Sequence, residues 1–233
     1  MSIAQNIASI EDRISKAAAR AGRRPEDVHL MAVTKTFPGH AIAEAHAAGL
    51  RLFGENRVQE FAGKSWDVKG LPDARFHLIG KLQSNKVPRA VELFHGIDSV
   101  DSLKLAEKLN AMAGRMRKRL PILLELNLGG EQQKAGLAPD SPELEQLLAA
   151  APRLAALSLD GLMCIPPHTE SPEGARPYFR RLRELRDALR ARHNLPLQTL
   201  SMGMSHDFEV AIEEGSTCVR LGTAIFGERP PHP

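Results

Sequence analysis

Hydrophobic positions along this chain follow two periods in turn. Over residues 3–21 Ile3, Ile7, Ile10 and Ile14 recur at spacings of four, three and four, which lines one face of a helix, and Gly22 ends it. The run over 28–33, VHLMAV, lies between Pro25 and Pro38 and is too short for a helix of its own. Its apolar residues fill both alternating registers, the pattern of a parallel strand covered on two faces. Lys35 follows at the end of that run, ahead of the turn Phe37-Pro38-Gly39.

Seven further strand segments are predicted over 51–53, 75–79, 93–97, 121–128, within 157–165, and over 197–200 and 217–221. Helical segments alternate with them: 40–48 closed by Gly49, a stretch through Val58, Phe61 and Ala62, 84–91 despite Pro88, 100–118 capped by Asp98 or Ser99, 143–151, 174–192, and one that starts near Asp207 and ends at Gly215. On the helix over 174–192 the pairs Arg180/Glu184 and Arg183/Asp187 are expected on the wet face. Eight strand–helix units without a linker predict an α/β fold, a (β/α)8 TIM barrel in one domain over 1–233 with an extra N-terminal helix. In such a barrel the strand ends converge, so Lys35, Asn56, His77, Gly80, Asn127, Met163, Ser201 and Gly222 are expected around one mouth.

Composition narrows the partners. The 42% of hydrophobic residues fills a substantial core, and a net charge of +3 from nearly balanced acids and bases gives no argument for nucleic acid. The basic run Arg115, Arg117, Lys118, Arg119 suits the negative end of a helix, and one Trp and one Tyr leave little to stack on bases. Cys164 and Cys218 sit in apolar stretches, as buried free thiols of a reducing compartment do. No apolar run is long enough to span a bilayer, and Glu11 and Asp12 argue against a secretory signal. A cytoplasmic protein with no membrane or nucleic-acid partner is expected.

Candidate chemistry gathers at the strand ends. A lysine held in a partly dry site has its pKa lowered toward neutrality, and its neutral amine attacks aldehydes; a lysine snorkelling from a strand end is the alternative for Lys35. The loops SMGMS at 201–205 and GTAIFG at 222–227 offer backbone N–H groups and hydroxyls for a phosphate, in the place where many barrels bind one. Arg220 lies inside an apolar strand and needs either a ligand or a buried partner such as Glu125. Lysine, phosphate cradle and inward arginine together suggest pyridoxal 5'-phosphate (PLP), with its aldehyde on Lys35, its phosphate over the last two loops and its ring nitrogen toward Arg220.

Along essentially its whole length the chain resembles the alanine racemase-like pyridoxal phosphate homeostasis proteins, on AVTK at 32–35, FGENRVQE at 53–60, HLIGKLQSNK at 77–86, GLM at 161–163, SMGMSHDFEVAI at 201–212 and VRLGTAIFG at 219–227. The resemblance implies a barrel like the N-terminal domain of alanine racemase, with PLP held as a Schiff base by Lys35. It also implies phosphate contacts at Ser201, Gly222 and Thr223 and an arginine, Arg220, facing the pyridine nitrogen; Asn56 of the FGENRVQE motif completes the expected cofactor-binding set. Such proteins carry or regulate this vitamin B6 form without established turnover, hold no metal, and imply a monomer that meets apo PLP-dependent enzymes transiently. His206, Lys81 and Cys164 depart from the common pattern, and Lys134 is expected as a second amine near the site. The alternative is a PLP-dependent amino-acid racemase or related enzyme of weak activity, which needs two bases on opposite faces of a carbanion. Alanine racemase takes one of them from a tyrosine of its second domain, and the lone tyrosine here is Tyr178. A third class, a cofactor-free barrel acting on a sugar phosphate, leaves Lys35 and Arg220 without a joint purpose.

Overall fold

Eight parallel strands, β1 (His29–Val33), β2 (Leu52–Glu55), β3 (Arg75–Leu78), β4 (Gly96–Val100), β5 (Leu120–Leu126), β6 (Leu157–Cys164), β7 (Thr199–Ser201) and β8 (Cys218–Leu221), pair in chain order, and β8 returns to β1. The expected (β/α)8 barrel is the fold of this protein. The computed structural model describes residues 2–131 and 135–228. Helices α2 (Gly39–Ala47), α3 (Val58–Lys64), α4 (Val87–Leu93), α5 (Leu103–Arg115), α6 (Pro142–Ala150), α7 (Arg176–His193), α8 (Phe208–Glu213) and α9 (Thr223–Phe226) follow the strands in turn.

Alternation along the strands separates two apolar layers. Ala32, Phe53, Leu78, Ile97, Leu124, Leu162, Leu200 and Leu221 point outward and pack under the helices in the main core. Met31, Val33, Ile79 and Cys218, with Leu52, form a smaller cluster inside the barrel. That inner cluster divides the interior into two ends, each with its own cavity.

The extra helix α1 (Ile3–Arg20) starts at a capping box made by Ser2 and Gln5 and buries Ile7, Ile10 and Ile14. It lies against α8 and α9, where Asn6 donates to the Ile225 carbonyl at 2.8 Å and Arg13 and Arg20 pair with Glu209 and Glu213. The helix therefore braces the two short elements that follow β7 and β8, at the end of the barrel where the last two loops lie.

Several boundaries differ from the sequence expectation. The fourth strand begins three residues later than 93 and runs to Val100, because Asp98 and Ser99 are buried strand residues rather than helix caps. Asp98 meets His77 at 2.9 Å, Ser99 donates to the Gly80 carbonyl at 2.7 Å, and α5 is capped instead by Ser102, which accepts from the Leu105 amide. Pro88 fits α4 because it stands in the first turn, where its missing N–H costs nothing. Arg180 and Arg183 leave the expected pairs along α7 and reach the buried Glu214 after α8, at 2.9 and 3.1 Å.

The expected ring of mouth residues needs a correction at His77. Its side chain points into the cavity at the opposite, N-terminal end of the barrel, about 430 Å³ in volume, beside Met31, Leu52, Asp98 and Cys218. A period of two explains it: His77 lies one pair below the end of β3, so it lines the lower layer while Ile79 lines the upper.

Candidate functional site

A cavity of about 380 Å³ opens at the C-terminal ends of the strands, with Val33 and Ile79 from the inner cluster in its wall. Lys35, Asn56, Glu125, Arg220, Gly222 and Thr223 line it, so five of the six expected cofactor-binding residues meet in one space. Lys81, Ile165 and His206 stand exposed at its rim. Of the other residues expected here, Asn127 and Met163 are not part of the lining, and Lys134 lies outside the described residues. Tyr178 packs half-buried against the main core and does not line the cavity.

Lys35 is fixed through its neighbours. Behind β1, on the outer face of the barrel, the Lys64 ammonium donates to the Thr34 carbonyl at 2.8 Å and to the Phe37 carbonyl at 3.0 Å. The same ammonium meets Glu55 at 2.8 Å and Glu60 at 3.3 Å. Glu55, fully buried, accepts from the Thr34 hydroxyl at 2.5 Å, and Glu60 accepts from the Thr36 amide at 2.5 Å. Burial holds the Glu55 carboxyl above the usual carboxylate range, opposed by Lys64. Thr36 adopts φ +67°, a left-handed conformation that costs a β-branched residue of the order of 1–3 kcal/mol. The bond to Glu60 holds that conformation and turns the chain sharply after Lys35. Glu55 and Glu60 both belong to the FGENRVQE stretch; Lys64 carried no signal in the sequence.

Asn56 is placed by the approach of two backbones. A Cβ on Gly80 would stand 2.3 Å from the Asn56 carbonyl oxygen, so only glycine lets the loops after β2 and β3 touch.

Arg220 is 4% exposed, and its guanidinium fork is already committed on one side: it donates to the Ser201 hydroxyl at 2.8 Å and to the Cys164 carbonyl at 2.9 Å. Among the described residues no ion pair joins it to Glu125, so the buried pair considered from sequence does not form. Ser201 is fully buried and absent from the cavity lining; its hydroxyl serves Arg220. Ser205, a hydroxyl of the expected SMGMS cradle but not of the set implied by the family resemblance, lines the cavity instead, and its hydroxyl accepts from the Ala224 amide at 3.4 Å. The backbone amides of Ser205, Gly222 and Thr223 find no acceptor among the described residues. Gly203, at φ +96°, brings this loop down on α8, where a Cβ would come within 2.6 Å of Ala211. Asp207 then closes the turn by accepting from the Met204 amide at 2.6 Å.

Glu125 is 7% exposed and faces the cavity from β5. Burial, with Asp101 nearby, pushes its carboxyl up to about 7 against the pull of Arg220 and Lys81. Both thiols are buried, and burial pushes each up to about 12, so neither Cys164 nor Cys218 supplies a nucleophile. Among the described residues no group of three or more His, Cys, Asp or Glu is arranged to hold a metal ion, and no helix is long and apolar enough to cross a membrane.

A barrel whose mouth holds a lysine beyond its first strand, an arginine on its last and, among the described residues, amides without acceptors in the loops after its last two defines a recognisable class. The sequence profile of the family described as alanine racemase, N-terminal domain, matches residues 5–230. The chain belongs to that family and, within it, to the pyridoxal phosphate homeostasis proteins. A protein of that description from Aquifex aeolicus is 45% identical over 229 residues, covering 98% of this chain and 99% of its own. Another from Pseudomonas aeruginosa is 48% identical over 227 residues, covering 97% and 96%. Among solved structures, PipY of Synechococcus elongatus PCC7942 with PLP bound superposes with a TM-score of 0.82 at 40% identity, covering 97% of this chain and all of that one. Alanine racemase of Clostridium difficile 630 superposes with a TM-score of 0.73 at 13% identity over 57% of its length, a likeness of fold alone.

Proposed function

We propose that this protein holds PLP reversibly in the mouth of its barrel and serves intracellular PLP homeostasis as a carrier or regulator without efficient turnover. The observation that carries this reading is a single cavity with the Lys35 amine on one side and, on the other, Arg220 beside the unpaired amides of Ser205, Gly222 and Thr223. PLP, when bound, supplies an aldehyde that reacts reversibly with primary amines. Lys35 would hold that aldehyde, the amides with the Ser205 and Thr223 hydroxyls would hold the phosphate, and Arg220 would meet the ring nitrogen, with Asn56 completing the wall. The homeostasis proteins matched over almost the whole chain, and a relative solved with PLP, support the reading.

The residues also argue against efficient turnover. A guanidinium held in place by Ser201 and the Cys164 carbonyl would disfavour protonation of a ring nitrogen set against it. Such a ring is a poor electron sink. The tyrosine that alanine racemase uses as its second base has no counterpart at the mouth, since Tyr178 does not line the cavity. Release to apo PLP-dependent enzymes by transient contact, from a cytoplasmic monomer, completes the proposal.

The test is spectroscopic and chemical. The purified protein mixed with PLP should develop a visible band, and borohydride followed by peptide mapping should place a phosphopyridoxyl group on Lys35. A label mainly on Lys81 or Lys134, or turnover of an amino acid in the ordinary enzymatic range of about 1–10³ s⁻¹ that is lost in Lys35→Ala, overturns the assignment.

A further inference from the structure

Among the described residues Glu125 is the one carboxylate lining the mouth cavity, and nothing in the function above uses it. It is 7% exposed, yet its side chain takes no hydrogen bond or ion pair within the chain among the described residues. Its carboxylate faces the open cavity, so a donor group placed in the mouth can reach it. The charged neighbours among the described residues do not pair with it. Asp101, after β4, raises the negative potential there, while Lys81 after β3 and Arg220 on β8 act on Glu125 at a distance without pairing with it. Arg220 is turned away, onto Ser201 and the Cys164 carbonyl. Lys35 of the β1 loop and His206 of the β7 loop share the cavity wall.

The cavity is thus polarised. Its β8 side presents a guanidinium and free N–H groups, which suit an anion; its β5 side presents a carboxylate backed by a second one, which suits a cation that can donate hydrogen bonds.

We propose that Glu125 forms an ammonium subsite for a primary amine entering the mouth. The carboxylate takes the R–NH3⁺ group, and a proton passes from nitrogen to the Glu125 carboxylate, leaving R–NH2 and a carboxylic acid. Charge and atoms balance, and no further reactant is needed. The neutral amine then stands in the same cavity as Lys35, which is the form able to compete with Lys35 for an aldehyde. That last consequence, exchange of the cofactor onto an incoming amine, rests on the carrier reading; the subsite itself does not. Burial is what makes the transfer feasible, because the carboxyl's affinity for a proton is raised into the neutral range.

Two measurements on the full chain separate the two ideas. In the protein without PLP, the Glu125 carboxyl resonance is identified by its loss in Glu125→Gln and titrated in methylammonium chloride or in the same concentration of tetramethylammonium chloride. Methylammonium should lower the titration midpoint and tetramethylammonium, which has the charge but no N–H, should not. Equal midpoints in the two salts overturn the subsite. In the PLP-loaded protein, methylamine should displace the Lys35 bond at least about tenfold more slowly in Glu125→Gln, the loss of one charge-assisted hydrogen bond, with part of the rate restored in Glu125→Asp. Unchanged rates also overturn the subsite. A wild-type protein that never develops the visible band refutes the carrier reading instead, and the carboxyl titration still decides the role of Glu125.

Discussion

The Lys64 ammonium and the Glu55 carboxylate meet at 2.8 Å behind the strand that carries Lys35, with Glu55 fully buried. One oxygen of Glu55 serves both Lys64 and the Thr34 hydroxyl, while the other has no hydrogen-bond partner among the described residues. Such a pair is a costly way to stabilise a fold, since both charges leave water. Its use here is geometric: it anchors the carbonyls of Thr34 and Phe37 on either side of Lys35.

Breaking that pair from one side should be severe. Lys64→Met removes the counter-charge of the buried Glu55, whose carboxyl burial already raises, and denaturant unfolding should show a loss of roughly 3–5 kcal/mol. Glu55→Gln in the Lys64→Met background should recover part of the loss, because the uncompensated carboxylate is gone. If Lys64→Met unfolds within about 1 kcal/mol of wild type, well below the cost of breaking a buried pair, the anchoring role is excluded.

Ser201 and Ser205 should separate in their effects on PLP. Ser205→Ala should weaken PLP binding by one to two decades, the roughly 1.5–3 kcal/mol of a hydrogen bond to a charged group, and leave the weaker binding of pyridoxal unchanged. Ser201→Ala frees the Arg220 fork instead, so it should alter the absorption band and weaken PLP and pyridoxal alike. Titrations with both vitamers check this; a phosphate-selective loss in Ser201→Ala would return Ser201 to the cradle.

The contact between the loops after β2 and β3 predicts a backbone effect. Gly80→Ala must displace the Asn56 carbonyl from 2.3 Å, with neither backbone able to yield as a side chain would. A loss of about 1–3 kcal/mol of stability is expected from the overpacking, accompanied by weaker PLP binding because Asn56 moves with its loop. Thermal unfolding and PLP titration of the one variant measure both.

The barrel was legible because eight apolar runs alternate with helical periods, and periodicity records burial. The boundaries that moved did so where polar residues sit inside strands: Asp98 and Ser99 look like caps in sequence but are paired across strands with His77 and Gly80. His77 was assigned to the wrong end because a strand's period of two sets its layer, and a one-residue error in the strand end exchanges the two. Lys35, Arg220 and the last two loops were legible as strand-end chemistry. Lys64 and the cavity-facing carboxyl of Glu125 were not, nor was the division of roles between Ser201 and Ser205, since each depends on a neighbour remote in sequence.

Glu125 also predicts how stability depends on pH. Its carboxyl is ordinary in the unfolded chain, near 4.5, and is pushed up to about 7 in the folded protein, so the folded state binds the proton more tightly. The stability this contributes is present in full below the unfolded value and is lost as pH rises through the folded one. At about 1.36 kcal/mol per pKa unit the loss between pH 4.5 and 7 is of the order of 3 kcal/mol, an upper figure because water reaches part of the group. Glu55, Asp101 and Asp207 are raised as well and tilt the curve the same way, while Glu213 and Glu214, lowered by their arginines, oppose it at the acid end. The wild-type curve alone therefore does not isolate Glu125; the difference between wild type and Glu125→Gln does. In urea unfolding without PLP, Glu125→Gln should be close to wild type near pH 5 and more stable than wild type at pH 8. A stability difference that stays flat across that range would place the Glu125 titration below it and remove the basis for a carboxylate that exchanges protons with an amine near neutrality.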